Sequence, residues 1–182
     1  MSTMNNIMSN SFNGDKFKII KAQVDLMNVE DYKYLITLTF KNDIQVLDRD
    51  LYGCLKTFLH FLNGKLLGQR YESNKLSLEG GVVLENQKNG NPHFHLLIQE
   101  NESLCEWYQD ENNVAELINK LCSKIRRADG LGRAAFSHYG IDARRVYGKE
   151  KLIDYLTKTL WENIENLNNI SSFKGSEIYV GR

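Results

Sequence analysis

The chain has 182 residues with 23 basic and 23 acidic side chains, so its formal net charge is zero. Hydrophobic residues make up 42% and charged residues 25%, which excludes wholesale disorder and allows one sizeable core without disulfides. No apolar run reaches the ~18 residues of a membrane-spanning helix, and the first residues lack the apolar core of a signal peptide. Three widely spaced cysteines indicate no disulfide framework, so we expect a cytoplasmic, reducing location.

The first predicted elements follow a segment rich in Asn, Ser and Met. Residues 1–16 are expected to form a flexible arm, and residues 17–182 a single domain. β-Branched and aromatic residues predict a strand over 32–40. Apolar positions at helical spacing then predict a helix over 47–67.

A β-hairpin is predicted next. Residues 76–86 indicate a strand, in which Gly80 and Gly81 suggest a bulge or bend. The segment KNGNP at 88–92 combines an Asn-Gly turn signal with the only proline of the chain. The returning strand is HFHLLIQ at 93–99.

The remaining elements complete an α+β pattern. They are a helix over 111–128 with Asn112 or Asn113 as N-cap, one or two short strands over 136–148, a helix over 149–164, an Asn-rich loop over 163–172 and a last strand over 176–180. This order predicts a split βαβ fold, RRM- or ferredoxin-like. We expect an antiparallel sheet with helices on one face and an open, catalytic face on the other.

Two histidines share one face of the returning strand. Alternation places His93 and His95 together, about 7 Å apart along the strand, with the apolar core residues on the opposite face. Glu85 falls beside them if the hairpin closes. Two imidazoles and a carboxylate can hold a metal ion and leave positions for water or substrate. The alternative is two solvated histidines on an exposed strand.

Tyr155 lies on a cationic face of the predicted helix over 149–164. It is roughly 110° from the centre of the leucine stripe, and Lys151 and Lys158 flank it. Two nearby ammonium groups favour the phenolate and can hold a phosphate. A phenol in this setting is a candidate nucleophile toward phosphorus.

Basic side chains are concentrated in residues 121–160, which carry nine basic and four acidic residues. A polyanion such as DNA would be drawn to this stretch. The candidate phosphate contacts are Arg126, Arg127, Arg144 and Arg145, for which a solvated face is an equal alternative. His138 and Tyr139 could also touch DNA, although a turn role explains them as well.

Three motifs resemble those of the HUH endonucleases, the rolling-circle replication initiators and their relatives. PHFHLLI at 92–98 is similar to the family's His-hydrophobe-His motif, and DYLTK at 154–158 to its Tyr-x-x-Lys nucleophile motif. YLITLTF at 34–40 is similar to the family's first, mainly structural, motif. The order of the motifs is that of the replication initiators, and Thr159 at the second-tyrosine position implies the single-tyrosine class.

The resemblance implies metal-dependent nicking and joining of single-stranded DNA. Glu85, His93 and His95 would bind Mn²⁺ or Mg²⁺. Tyr155 would form a 5′-phosphotyrosine link, and Lys158, with Lys151, would position the phosphate. The implied partners are single-stranded or hairpin DNA at the replication origin of a plasmid or virus, with a host polymerase and helicase.

Four alternatives stay open. Tyr147, followed by Lys151, competes with Tyr155 as the nucleophile. A single-tyrosine transposase of the same superfamily has the same motif order. A metal-dependent hydrolase would use water in place of the phenol. An RRM-like module would bind nucleic acid without catalysis.

Overall fold

The structure is a computed structural model that describes residues 32–41, 48–86, 91–99, 111–127, 131–147, 152 and 170–180. The predicted arm at residues 1–16 lies outside the described residues. The described elements are β1 Tyr32–Phe40, α1 Asp48–Leu66, β2 Glu79–Asn86, β3 Pro92–Gln99, α2 Glu111–Cys122, β4 Phe136–Arg145, β5 Ile170–Lys174 and β6 Glu177–Val180. Neither α1 nor α2 is long and apolar enough to cross a membrane.

The six strands form one antiparallel sheet in the order β4-β1-β3-β2-β5-β6. β2 and β3 pair from Gly80–Ile98 to Asn86–Pro92, so the predicted hairpin is confirmed. β1 lies between β3 and β4, and Thr37 is the partner of His95. The histidine strand is therefore interior to the sheet.

Both helices pack on the same face of the sheet, as the split βαβ prediction requires. Their apolar residues form one core with the inward-facing residues of β1, β2 and β3. Side chains from both layers are fully buried, among them Ile36, Leu38, Phe94, Leu96, Leu55, Phe58, Leu62 and Ile118. Burial on the order of 2 kcal/mol for each such side chain stabilises this layer arrangement.

The opposite face of the sheet corrects one expectation. The sequence analysis treated the side chains of 93–99 on this face as exposed, but His93, His95 and Leu97 are all buried. Val83 on the neighbouring strand is buried as well. The centre of this face is therefore shielded from solvent, which lowers the local dielectric around both imidazoles.

Two glycines in β2 were expected to mark a bulge, and this prediction is wrong. Gly80 and Gly81 pair regularly with Ile98 and Leu97. A Cβ at Gly80 would overlap the Leu97 carbonyl oxygen and lie 2.8 Å from the ring of Phe173. Glycine is present here because backbone and ring approach it closely.

Other boundaries differ from the sequence prediction at α2 and β5. α2 begins at Glu111, so neither Asn112 nor Asn113 is its N-cap, and it ends at Cys122. The segment predicted as an Asn-rich loop contains the strand β5. Its hairpin with β6 turns at Gly175, which has a φ of 61° and so adopts a conformation that glycine favours.

Candidate metal centre

The β2–β3 hairpin sets the position of the three candidate ligands. Glu85 lies directly opposite His93, and Val83 directly opposite His95. Directly opposed residues of an antiparallel pair point to the same face. Glu85, His93 and His95 therefore share the face that lies away from the helices.

The three ligand atoms converge on one point. Glu85 Oε2 lies 2.8 Å from His93 Nε2 and 3.0 Å from His95 Nε2, and the two Nε2 atoms are 2.9 Å apart. The two histidines are only 6% and 2% exposed. Two imidazole nitrogens at this distance repel unless a proton or a cation lies between them. The group could therefore hold a metal ion.

Thr37 contacts this centre from β1. Its Oγ1 lies 3.1 Å from His95 Nδ1. When the Nδ1 proton is donated to this hydroxyl oxygen, the Nε2 lone pair is left free to face Glu85. His93 Nδ1 is buried and has no hydrogen-bond partner within the part of the chain that the structure describes.

Electrostatics at the centre favour the protonation states that bind a metal. Burial, together with the charge of His95, lowers the pKa of His93 and so favours its neutral imidazole. Burial alone would raise the pKa of Glu85, but hydrogen bonds from His95 and His93 hold it below its ordinary value. A neutral imidazole and an ionised carboxylate are the forms that metal ligation requires.

The predicted nucleophile and its lysines cannot be placed. Tyr155, Lys158 and Lys151 lie outside the described residues. From the same predicted helix the structure describes Leu152, which is helical and buried. Its burial agrees with its predicted place on the leucine stripe.

Tyr147, the competing nucleophile, lies toward the other end of β1 from the metal centre. The amide of Val146 donates to the carbonyl of Lys33, whereas His93 lies opposite Thr39. Six residues along a strand span about 20 Å. Tyr147 is 80% exposed, with the Arg145 guanidinium 5.6 Å from its ring centroid.

The four arginines predicted as phosphate contacts form two separate pairs. Arg144 and Arg145 are exposed on β4, and Arg144 lies opposite Leu35 on the face of the metal centre. Arg126 and Arg127 follow α2, where the Arg126 carbonyl contacts the Cys54 thiol of α1 at 4.0 Å. The structure thus places one pair at the edge of the sheet and the other against the helix layer.

Sequence reasoning missed the role of Thr37, because the motif on this strand was interpreted as mainly structural. The available signal was alternation within YLITLTF, which puts Thr37 and Thr39 on one face. The missing information was the register, which pairs Thr37 with His95 and Thr39 with His93.

Comparison with protein families agrees with the order of these motifs. Residues 33–160 match the model of a family of replication-associated proteins, the ORF2 type. This stretch is well over half of the chain and includes Glu85, His93 and His95. Searches of curated proteins and of solved structures found no match. The chain therefore belongs to the ORF2-type family of replication-associated proteins.

Proposed function

We propose that this protein is a metal-dependent endonuclease and strand transferase that initiates rolling-circle replication of a plasmid or virus. Its substrate is single-stranded or hairpin DNA at the origin, and a host polymerase and helicase act with it. The convergence of Glu85, His93 and His95, in a chain of a replication-associated family, is the observation that carries the proposal.

The donor set fits a hard divalent cation. Two neighbouring ligands about 2.1 Å from an octahedral ion are about 3.0 Å apart, whereas tetrahedral ligands about 2.0 Å from zinc are about 3.3 Å apart. The observed separations of 2.8–3.0 Å match the octahedral case. Mixed nitrogen and oxygen ligands favour Mn²⁺, with Mg²⁺ as the alternative. A bound ion would supply electrostatic stabilisation of the charge that develops on the phosphate.

The chain's own residues supply the nucleophile and the contacts to the phosphate. The Tyr155 phenolate oxygen forms a bond to phosphorus, and the bond from phosphorus to the 3′ oxygen breaks. The 3′ oxygen takes up a proton, and the 5′ phosphate stays on the tyrosine. Lys158 and Lys151 neutralise the phosphate and favour the phenolate. The ester bond is conserved in the phosphotyrosine, so no nucleotide cofactor is needed.

Two observations separate this proposal from its alternatives. The burial of both imidazoles around one carboxylate favours a catalytic centre over the base-stacking surface of an RRM-like module. The family match favours replication over the transposase alternative.

A nicking assay tests the proposal. A random-sequence single-stranded DNA pool, labelled at its 3′ ends, is incubated with the protein and Mn²⁺ and resolved on a denaturing gel. We expect a labelled covalent protein–DNA band that disappears in Tyr155→Phe, while Mn²⁺ binding by that variant is unchanged. Tyr147→Phe is the matched control and should keep the band. Glu85→Gln should weaken both Mn²⁺ binding and adduct formation.

Other outcomes point to specific alternatives. Cleavage that persists in Tyr155→Phe without an adduct would indicate a hydrolase in which water is the nucleophile. Loss of the band in Tyr147→Phe alone would assign the nucleophile to Tyr147. No cleavage by the unaltered protein with any divalent cation would support a non-catalytic binding module.

A further inference from the structure

A four-residue bulge interrupts β4 beside the metal centre. Leu38 pairs with Ile141 and Phe40 pairs with Phe136, so Thr39 alone lies opposite residues 137–140. Thr39 is also the direct partner of His93 on its other side. The bulge and the candidate ligand His93 therefore flank the same residue of β1.

Close packing holds the bulge at this position. A Cβ at Gly140 would lie 2.5 Å from the Cβ of Thr39, so only glycine allows the backbone to approach so closely. Thr39 is itself buried. Bulges of this kind often redirect side chains beside active sites.

The bulge presents two aromatic rings to solvent. Tyr139 is 97% exposed. The neighbouring His138 is also exposed, and its ring centroid lies 5.5 Å from that of Tyr139 in a T-shaped arrangement. A side chain exposed to this extent contributes little to the folded core, so packing does not account for an aromatic ring at this position.

We infer that Tyr139 is a base-stacking residue that binds an unpaired base of single-stranded DNA beside the metal centre. This inference rests on the proposed function, because it supplies a base contact for the same DNA strand. Aromatic rings bind single strands by stacking on bases, largely irrespective of sequence. The occupant is thus a nucleobase, and the surrounding phosphates are left to the arginines.

The distances and charges agree with this placement. β4 and β3 are separated by two strand spacings, about 10 Å. That distance is at most about three nucleotides at the 3.4 Å rise of a duplex strand. Arg144 lies further along β4 on the face of the metal centre, where it pairs with Asp142. A strand crossing β4 would therefore meet an aromatic ring and a cation before it reaches the ligands.

Binding to single strands without cleavage tests the inference. The affinity of the full-length protein for fluorescein-labelled dT20 is measured by anisotropy in EDTA. We expect Tyr139→Ala to bind about tenfold more weakly, and Tyr139→Phe to bind like the unaltered protein because the ring is kept. Tyr179→Ala is the matched control, because Tyr179 is 56% exposed on β6 at the opposite edge of the sheet. Its affinity should not change.

An abasic 20-mer separates stacking from phosphate contacts. Without bases to stack on, the unaltered protein and Tyr139→Ala should bind this oligonucleotide equally. Equal affinity of the two proteins for dT20 would overturn the inference, and the nicking proposal would stand if the covalent band still formed. A protein that bound no single strand and formed no adduct would overturn both.

Discussion

Thr37 illustrates how a single side chain tunes the candidate metal centre. It lies on the same face of β1 as Thr39, but its hydroxyl is the one found 3.1 Å from a ligand imidazole, that of His95. Contacts of this kind fix the tautomer and orientation of a ligand, and their loss typically weakens metal binding 10- to 100-fold. Thr37 is thus a positioning residue for the ion.

We expect Thr37→Val to weaken Mn²⁺ binding by roughly 10- to 100-fold with little loss of folding stability. The substitution keeps the β-branched shape and removes the hydroxyl. Isothermal titration with Mn²⁺ measures the affinity, and Thr37→Ser should restore it.

Thr39→Val is the matched control, since no hydrogen bond from Thr39 to a ligand is described. A Thr37→Val protein with unchanged affinity, or an equal loss in Thr39→Val, would contradict the assigned role.

At the scale of elements, β2 depends on the absence of a side chain at one position. Gly80 packs against the backbone of β3 and the ring of Phe173 on β5, whereas a Cβ at the adjacent Gly81 would meet its nearest neighbours at 3.7 Å. The two glycines are consecutive in the chain but differ in available space. This difference provides a test of the register.

We expect Gly80→Ala to destabilise the protein by about 2–3 kcal/mol, because either Leu97 or Phe173 must move. Gly81→Ala should change the free energy of unfolding by less than about 1 kcal/mol, because its methyl group makes ordinary contacts. Urea denaturation followed by circular dichroism measures both. Equal effects of the two substitutions would show that the β2–β3 register is different.

At the scale of the whole molecule, a net charge of zero conceals an uneven distribution. Residues 121–160 are basic, but the fold divides their arginines between the β4 edge and the end of α2. DNA that crosses the face of the metal centre can reach Arg144. Arg126, which follows α2, is placed with the helix layer.

We expect Arg144→Ala to reduce the slope of log affinity against log salt concentration for dT20 by about 0.7, which corresponds to one lost phosphate contact on a single strand. Arg126→Ala should leave the slope unchanged. Anisotropy titrations across a series of NaCl concentrations measure both variants. A reduced slope in Arg126→Ala would place DNA against the helix layer as well.

Local patterns in the sequence determined much of this protein. Alternation in YLITLTF and HFHLLIQ predicted β1 and β3, and the Asn-Gly turn signal joined Glu85 to the histidines in a hairpin. These predictions succeed because side-chain direction in a strand and turn geometry depend on residues close together in the chain.

Tertiary structure decided the rest, because it depends on residues distant in sequence. The reason for glycine at position 80 lies in β3 and β5, and the partner of His95 Nδ1 lies 58 residues earlier, in β1. Burial of the metal-centre face and the β4 bulge beside Thr39 likewise arise only when strands pair. Cross-strand register and packing are long-range properties, and local sequence patterns do not encode them.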